Sequence, residues 1–281
     1  MSSISSFRRL LAGRAPVHIA GVFSAYTALA AAQVGHRALY LSGSLPSRST
    51  HNAVRSVRGM TELIELARQI TDTSDTPLLV DLNNGWDGVH VVEAIKAMEQ
   101  AGVAAVHIGD QAAFNSLGGW VPKPIVNKRV MIDALKAAVD ARHNPEFLIM
   151  AHTDAFAQEG LHGAIDRIAD YVAAGADGIF VESVSSLADY RLLTDAIGVP
   201  VIAKANANAL GKTTMFRSGA LTDVGVSMIV HPMSGYEGAN GAMQYAYQSL
   251  LDSCHSHTQA VADVAVHNTM ANQRPMRLQN R

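Results

Sequence analysis

Eight short apolar segments alternate with stretches of helical spacing along this chain, and that alternation constrains its fold more than any other feature. The segments cover residues 17–22, 38–41, 78–81, 104–108, 147–151, 178–181, 201–203 and 227–230. Most lack the apolar/polar alternation of a half-exposed strand; continuous short runs are what parallel strands covered on both faces show. Between them, "VVEAIKAMEQAG" places Val91, Ile95 and Met98 on one helix face, "VMIDALKAAVDAR" does the same with Ile132, Leu135 and Val139, and "AIDRIADYVAAGA" with Ile165, Ile168 and Val172. A helix end, a glycine and a strand start recur as one unit in "QVGHRALYL", "QAGVAAVHI", "AAGADGIFV" and "DVGVSMIV", where glycine tolerates the left-handed turn that stops a helix. In "DTPLLV" and "GVPVIA" a proline opens the strand, a position that costs no ladder donor. No Ser/Gly/Pro-rich linker interrupts the series. The expected fold is α/β, one closed (β/α)8 TIM barrel over residues 1–252. The polar tail, 253–281, is expected to be an extension that packs on another subunit or is partly disordered.

Composition removes several function classes. A formal net charge of −2 over 281 residues offers no basic footprint for nucleic acid. One cysteine, Cys254, cannot form an intramolecular disulfide or a four-cysteine zinc site. "MSSISSFRRLLAGRAP" lacks the apolar run of a secretory signal, and no apolar stretch is long enough to cross a bilayer, so a cytoplasmic protein without membrane partners is expected. The 48% hydrophobic content then belongs to a soluble core.

In a (β/α)8 barrel the chemistry sits at the carboxyl ends of the strands. The polar residues there are Ser24 and Tyr26 after the first strand, Tyr40, Ser42, Gly43 and Ser44 at the second, Asp81 and Asn83 at the third, and His107 and Asp110 at the fourth. His152 and Asp154 follow the fifth, Glu182 and Ser183 the sixth, Lys204 and Asn206 the seventh, His231 and Ser234 the eighth. Asn84, Thr153 and Ser183 read as helix caps, and His107, inside an apolar strand, as a hydrogen-bonded core histidine. Asp81 ends "LLVD" inside the barrel mouth, where an unpaired charge is costly, so a cation or a bound ligand is expected beside it.

The motifs "YLSGS", "PLLVDLNNGW", "AAVHIGDQ", "IMAHTDA", "IFVES" and "IVHPMSG" follow one another in an order that resembles the isocitrate lyase/phosphoenolpyruvate mutase superfamily, closest to its methylisocitrate lyase branch, over roughly 7–251. The resemblance implies a TIM barrel whose C-terminal helix is exchanged between subunits in a homo-oligomer, a dimer or homotetramer. It also implies carbon–carbon bond lyase chemistry on a small carboxylate or 2-oxo acid through an Mg2+-stabilised enolate. By the same resemblance Asp81 is the metal ligand. His107, His152, Glu182, Lys204 and Ser116 are the catalytic candidates, and Tyr40, Ser42, Gly43, Ser44, Asn83, Asn115 and His231 the substrate-binding ones.

The sequence departs from the family pattern at several of these places. Where D-x-D-T-G-[FY]-G is expected, the second acid is Asn83 and the last glycine Asp87; "HIED" reads "HIGD", with Gly109 for the glutamate; and Ser56 replaces a further acid. The resemblance therefore implies a weakened magnesium site. The lyase loop K-[KR]-C-G-H aligns with "AFNSLGGW", with Leu117 for the cysteine and Gly119 for the histidine, and its "NSL" resembles the loop of the mutase and phosphonopyruvate hydrolase branch. His152 stands for the arginine of "ARTDA", Lys204 for the strand-seven asparagine, and Glu237 for another arginine. Two readings stay open. In one, Asp81 holds Mg2+ while Ser42, Gly43 and Ser44 grip a carboxylate and Glu182, His152 or His107 moves protons. In the other, metal dependence is gone, and Lys204 pairs with Asp81 as an internal cation or forms a Schiff base. Alternatives to a lyase are a hydrolase or mutase of the phosphonopyruvate/oxaloacetate type and a metal-free ligand-binding pseudoenzyme.

Weaker patterns carry less. "GKT" at 211–213 lacks the first glycine of a phosphate loop, and "CHSH" at 254–257 lacks a second ligand pair. Trp86 and Trp120 fall on loops over the mouth by the family alignment, where they would close an apolar lid or meet another subunit.

Overall fold

A computed structural model of the chain describes residues 3–13, 16–43, 60–83, 89–112, 124–204, 216 and 218–253. Its centre is a closed ring of eight parallel strands in sequential order, with β8 hydrogen-bonded back to β1. The strands are β1 (Val17–Val22), β2 (Leu39–Leu41), β3 (Leu78–Asp81), β4 (Ala105–Gly109), β5 (Leu148–Thr153), β6 (Gly178–Val181), β7 (Val201–Lys204) and β8 (Met228–His231). All eight apolar runs are therefore strands, as the sequence predicts. Helices α2 (Ala25–Gln33), α3 (Met60–Thr73), α4 (Val89–Gln100), α5 (Lys128–Ala141), α6 (Ala155–Ala173), α7 (Leu187–Ala196) and α8 (Ser218–Asp223) link them. The (β/α)8 barrel is the fold.

Local chemistry sets the joints. Ser24 caps α2 in a reciprocal box with Thr27, each side chain accepting from the other's backbone N–H, and Ser186 and Asn127 cap α7 and α5. The glycines of the four recurring units, Gly35, Gly102, Gly175 and Gly225, all have positive φ, between 75° and 103°, which a side chain would strain.

Two apolar layers follow from the alternation of side chains along each strand. Leu39, Leu41, Leu78, Val80, Val106, Ile108, Ile149 and Ile179 point outward and meet the helices. Val17, Ile19, Tyr40, Leu79, Ala105, Met150, Phe180, Ile202, Met228 and Val230 fill the inside. Helix α1 (Ser3–Leu11) joins the inner layer through Phe7, which is fully buried, and Leu10, and so closes the amino-terminal end of the ring. Arg8 fastens that helix: its Nη2 donates to the Pro145 carbonyl at 3.0 Å and to Asp177 Oδ1 at 3.3 Å. Asp177 is held in turn by Arg142 Nη1 at 2.6 Å and the Ile149 N–H at 3.0 Å. One end of the barrel is thus plugged, which leaves the carboxyl end for ligands.

Met1–Glu237 forms the unit that contains the barrel, and a second unit starts at Gly238. Within the described residues the second unit is the remainder of helix α9 (Ser234–Ser253). The expected tail, 253–281, lies outside the described residues apart from Ser253. Among the described residues no helix is long and apolar enough to cross a membrane.

Candidate active site

Inward-facing positions at the carboxyl ends of β2 to β7 bring Tyr40, Asp81, His107, His152, Glu182 and Lys204 into one mouth. Ladder register explains the neighbours: Asp81 lies opposite His107 on β4, and Gly109 opposite His152 on β5. Tyr40 stacks on His107 with ring centroids 5.7 Å apart, His107 meets His152 edge-on at 5.3 Å, and His152 stacks on Phe180 at 4.6 Å. Phe180, which sequence reasoning did not single out, is the apolar wall that orients the His152 ring.

Two polar clusters share this mouth. In the first, the Tyr40 hydroxyl donates to Asp81 Oδ2 at 3.2 Å and lies 3.1 Å from His107 Nε2. The other Asp81 oxygen, Oδ1, accepts the Asn83 N–H at 2.7 Å. Asn83 has φ 50°, a left-handed conformation that asparagine tolerates better than most residues, and this folds its N–H back onto the carboxylate. Burial, then the Asp81 charge, pushes the Tyr40 phenol well above its ordinary pKa, so it stays a neutral donor. Burial lowers His107 to about 4, against the weaker pull of Asp81, so its ring is uncharged at neutral pH.

The second cluster is charged. Lys204 Nζ donates to Glu182 Oε1 at 2.7 Å, and His152 Nε2 faces Glu182 Oε2 at 3.6 Å. Burial alone would raise Glu182, but Lys204 and then His152 hold it well below the usual carboxylate range. Burial opposes the charged forms of His152 and Lys204, yet the Glu182 carboxylate outweighs it and raises both. Among the described residues, His107 Nδ1, His152 Nε2 and Glu182 Oε2 are buried without a hydrogen-bond partner. The last two face each other at 3.6 Å, and His107 Nδ1 lies 3.6 Å from Asp81 Oδ1, so each sits in an ion-pair contact just longer than a hydrogen bond.

The remaining candidates sort by position. Ser42 and Gly43 follow β2 beside Asp81; a Cβ on Gly43 would overlap the Asn83 side-chain amide and sit 2.5 Å from the Asp81 carbonyl, so only glycine lets these two loops pack. Ser44, Asn115 and Ser116 lie outside the described residues, as do Asn84, Asp87, Leu117, Gly119, both tryptophans and Asn206.

His231 does not join the site. Its neighbour Val230 faces the interior, so the strand's alternation turns His231 outward, where its Nε2 meets His18 Nδ1 at 2.8 Å in a stacked pair. Lys204 also differs from expectation: its ion pair is with Glu182 rather than Asp81, because β7 lies beside β6 and four strands from β3. An ammonium so held, with a raised pKa, is a poor Schiff-base nucleophile.

Asp110, at the end of β4, is a structural anchor. It accepts from Thr153 Oγ1 at 2.6 Å, the Tyr171 hydroxyl at 3.0 Å and the Asp154 N–H at 3.1 Å, all buried.

Magnesium, which the sequence resemblance implies, needs several hard oxygen ligands in near-octahedral array. The described residues do not fit it. Each Asp81 oxygen already spends one of its two lone pairs on a hydrogen bond, Asn83 is a neutral amide, and a Cβ at Gly109 would lie 3.0 Å from the Asn83 carbonyl. No group of three or more His, Cys, Asp or Glu side chains converges on a metal position among the described residues.

The sequence matches the phosphoenolpyruvate phosphomutase family model over residues 7–251. The chain belongs to that family. It is 39% identical over 251 residues to the 2-methylisocitrate lyase of Shewanella oneidensis, covering 89% of this chain and 85% of that protein, which sets it on the methylisocitrate lyase branch of the isocitrate lyase/phosphoenolpyruvate mutase superfamily. Two solved structures share the barrel. That of 2,3-dimethylmalate lyase superposes with a TM-score of 0.81 at 22% identity, covering 96% of this chain and 94% of the other. That of oxaloacetate acetylhydrolase with its product oxalate gives 0.81 at 20% identity, covering 96% and 93%.

Proposed function

We propose that the protein is a carbon–carbon bond lyase acting on a small 2-hydroxy acid that carries a second carboxylate on the neighbouring carbon. The observation that carries this reading is the meeting of a cationic group, Lys204 with His152 across Glu182, and an anionic one, Asp81 with Tyr40, in one barrel mouth. The 2-methylisocitrate lyase relative supports the substrate class.

Cleavage of such a substrate moves one electron pair along a short path. The hydroxyl proton leaves to a base, the C–O bond becomes C=O, the C–C bond breaks, and its electrons pass to the carbon beside the second carboxylate. That carbon, now part of a doubly charged enolate-like group, then takes up a proton. Asp81, fixed by Tyr40 and the Asn83 N–H, is the base of this reading. His152, whose pKa Glu182 raises against burial, is the proton donor. Ser42 and the Gly43 backbone hold the carboxylate, with Ser44, Asn115 and Ser116 as further contacts of the same proposal. The protein acts as a cytoplasmic homo-oligomer, a reading supported by Met243, Tyr245, Tyr247, Leu250 and Leu251, large side chains that stand exposed on α9.

The test is direct. The purified chain is incubated with 2-methylisocitrate, 2,3-dimethylmalate and oxaloacetate, and products are followed by mass spectrometry. Release of a 2-oxo acid from a hydroxy-acid substrate is expected. Acetate and oxalate from oxaloacetate alone would make it a hydrolase, and ligand-induced stabilisation without any product would make it a binding protein.

A further inference from the structure

We propose that Lys204 is the resident cation of this mouth and that the site holds its anionic ligand without a divalent metal; the inference rests on the reading above only for the identity of that anion, a small dicarboxylate. The charges are laid out to do this. The Lys204 ammonium has three protons to donate, and among the described residues Glu182 takes one, at 2.7 Å. Its side chain is 34% exposed at the carboxyl end of β7. Glu182 acts as a positioning residue: one oxygen fixes Lys204, and the other faces His152 Nε2 at 3.6 Å.

A divalent ion placed at Asp81 would meet three obstacles at once. Asp81 keeps only one free lone pair on each oxygen, the neighbouring positions Asn83 and Gly109 offer no second carboxylate, and the Lys204 charge lies within Coulombic range of Asp81. Like charges in a partly buried cavity repel far more strongly than in water. The geometry instead suits a substrate oxygen on Lys204 Nζ, beside the Glu182–His152 pair. Such an oxygen would take up a donor that Glu182 leaves open on the ammonium. Charge developing there during bond cleavage would meet a fixed ammonium, the preorganised stabilisation that barrel enzymes otherwise draw from a bound ion.

The test uses the full chain, stripped of metal by chelator dialysis, with oxalate as the probe anion and MgCl2 or MnCl2 as the metal probes. Calorimetry is expected to show oxalate binding in EDTA, with the Kd changing less than twofold when magnesium is added. Neither metal alone should bind below millimolar concentration. Lys204→Gln should weaken oxalate at least tenfold in EDTA, and Lys204→Arg should recover part of the loss. Oxalate binding that needs magnesium, a stoichiometric manganese site of micromolar Kd, or no oxalate binding under either condition overturns the inference; none of these arms depends on the variants folding. Substrate cleavage seen only with magnesium sinks the inference and leaves the lyase reading standing. Lys204-dependent oxalate binding in EDTA without cleavage of any substrate does the reverse.

Discussion

Glu182 stands between two basic groups, with Lys204 Nζ 2.7 Å from one oxygen and His152 Nε2 3.6 Å from the other. The carboxylate is therefore what allows two basic groups, on β5 and β7, to share one mouth. Glu182→Gln should cost about 2 kcal/mol of stability in urea unfolding, less than the 3–5 expected for breaking a fully buried pair because Lys204 is one-third exposed. In the same variant the NMR titration of His152 should move to lower pH, since burial would act on it unopposed.

His107 makes stability depend on acidity. Its pKa is about 4 in the folded protein against an ordinary 6.5, so the stabilisation is complete above 6.5 and is lost as pH falls from 6.5 toward 4, while unfolded chains take up the proton first. The loss should total roughly 3 kcal/mol, read as a falling melting temperature across that window. His152, with its raised pKa, works the other way: its contribution is full below 6.5 and fades as pH rises through its folded value. Replacing His107 with asparagine should flatten the acid limb of the curve.

Tyr40 links Asp81 to His107 through one hydroxyl. Tyr40→Phe should cost about 1.5–3 kcal/mol, the value of a buried hydrogen bond with a charged partner. Substrate turnover should suffer more, with kcat/KM at least tenfold lower in the cleavage assay, because Asp81 loses the donor that fixes it.

Asp110 predicts the opposite division. With Thr153, Tyr171 and the Asp154 N–H all donating to it, Asp110→Ala strands three buried donors and should lower stability by about 3–5 kcal/mol. At temperatures where the variant is folded, KM should stay within a factor of a few of the original.

Phe7→Ala tests the plug. This fully buried ring joins the barrel's inner layer from outside the ring of strands, and its loss should cost about 3–5 kcal/mol in urea unfolding.

The fold was legible because strand, glycine stop and helix each carry a local signal. The runs at 17–22, 78–81 and 178–181 end where β1, β3 and β6 end. The run at 147–151 stops short of β5, because His152 and Thr153 are polar yet stay in the ladder opposite Gly109, Phe180 and Val181. The site was legible less evenly. Treating every polar residue after an apolar run as part of the mouth put His231 there, although counting alternation from Val230 turns it outward. The partner of Lys204 depends on which strands are neighbours, and sequential ring order gives β6, hence Glu182. Asp110 looked like a site acid because its donors come from β5, α6 and the turn between them, contacts that only the assembled barrel reveals.

The hydrogen bonds between β1 and β8 also bear on how the molecule is made. Val17 pairs with Met228 and donates its N–H to the Ser227 carbonyl, so the first strand to leave the ribosome waits for the last before either is satisfied on both sides. Arg8 waits likewise for Asp177. Until then the nascent chain carries two open sheet edges, the condition under which parallel folds fold slowly and invite mispairing. Fragments truncated before β8 should accordingly depend on chaperones, however complete their reactive residues.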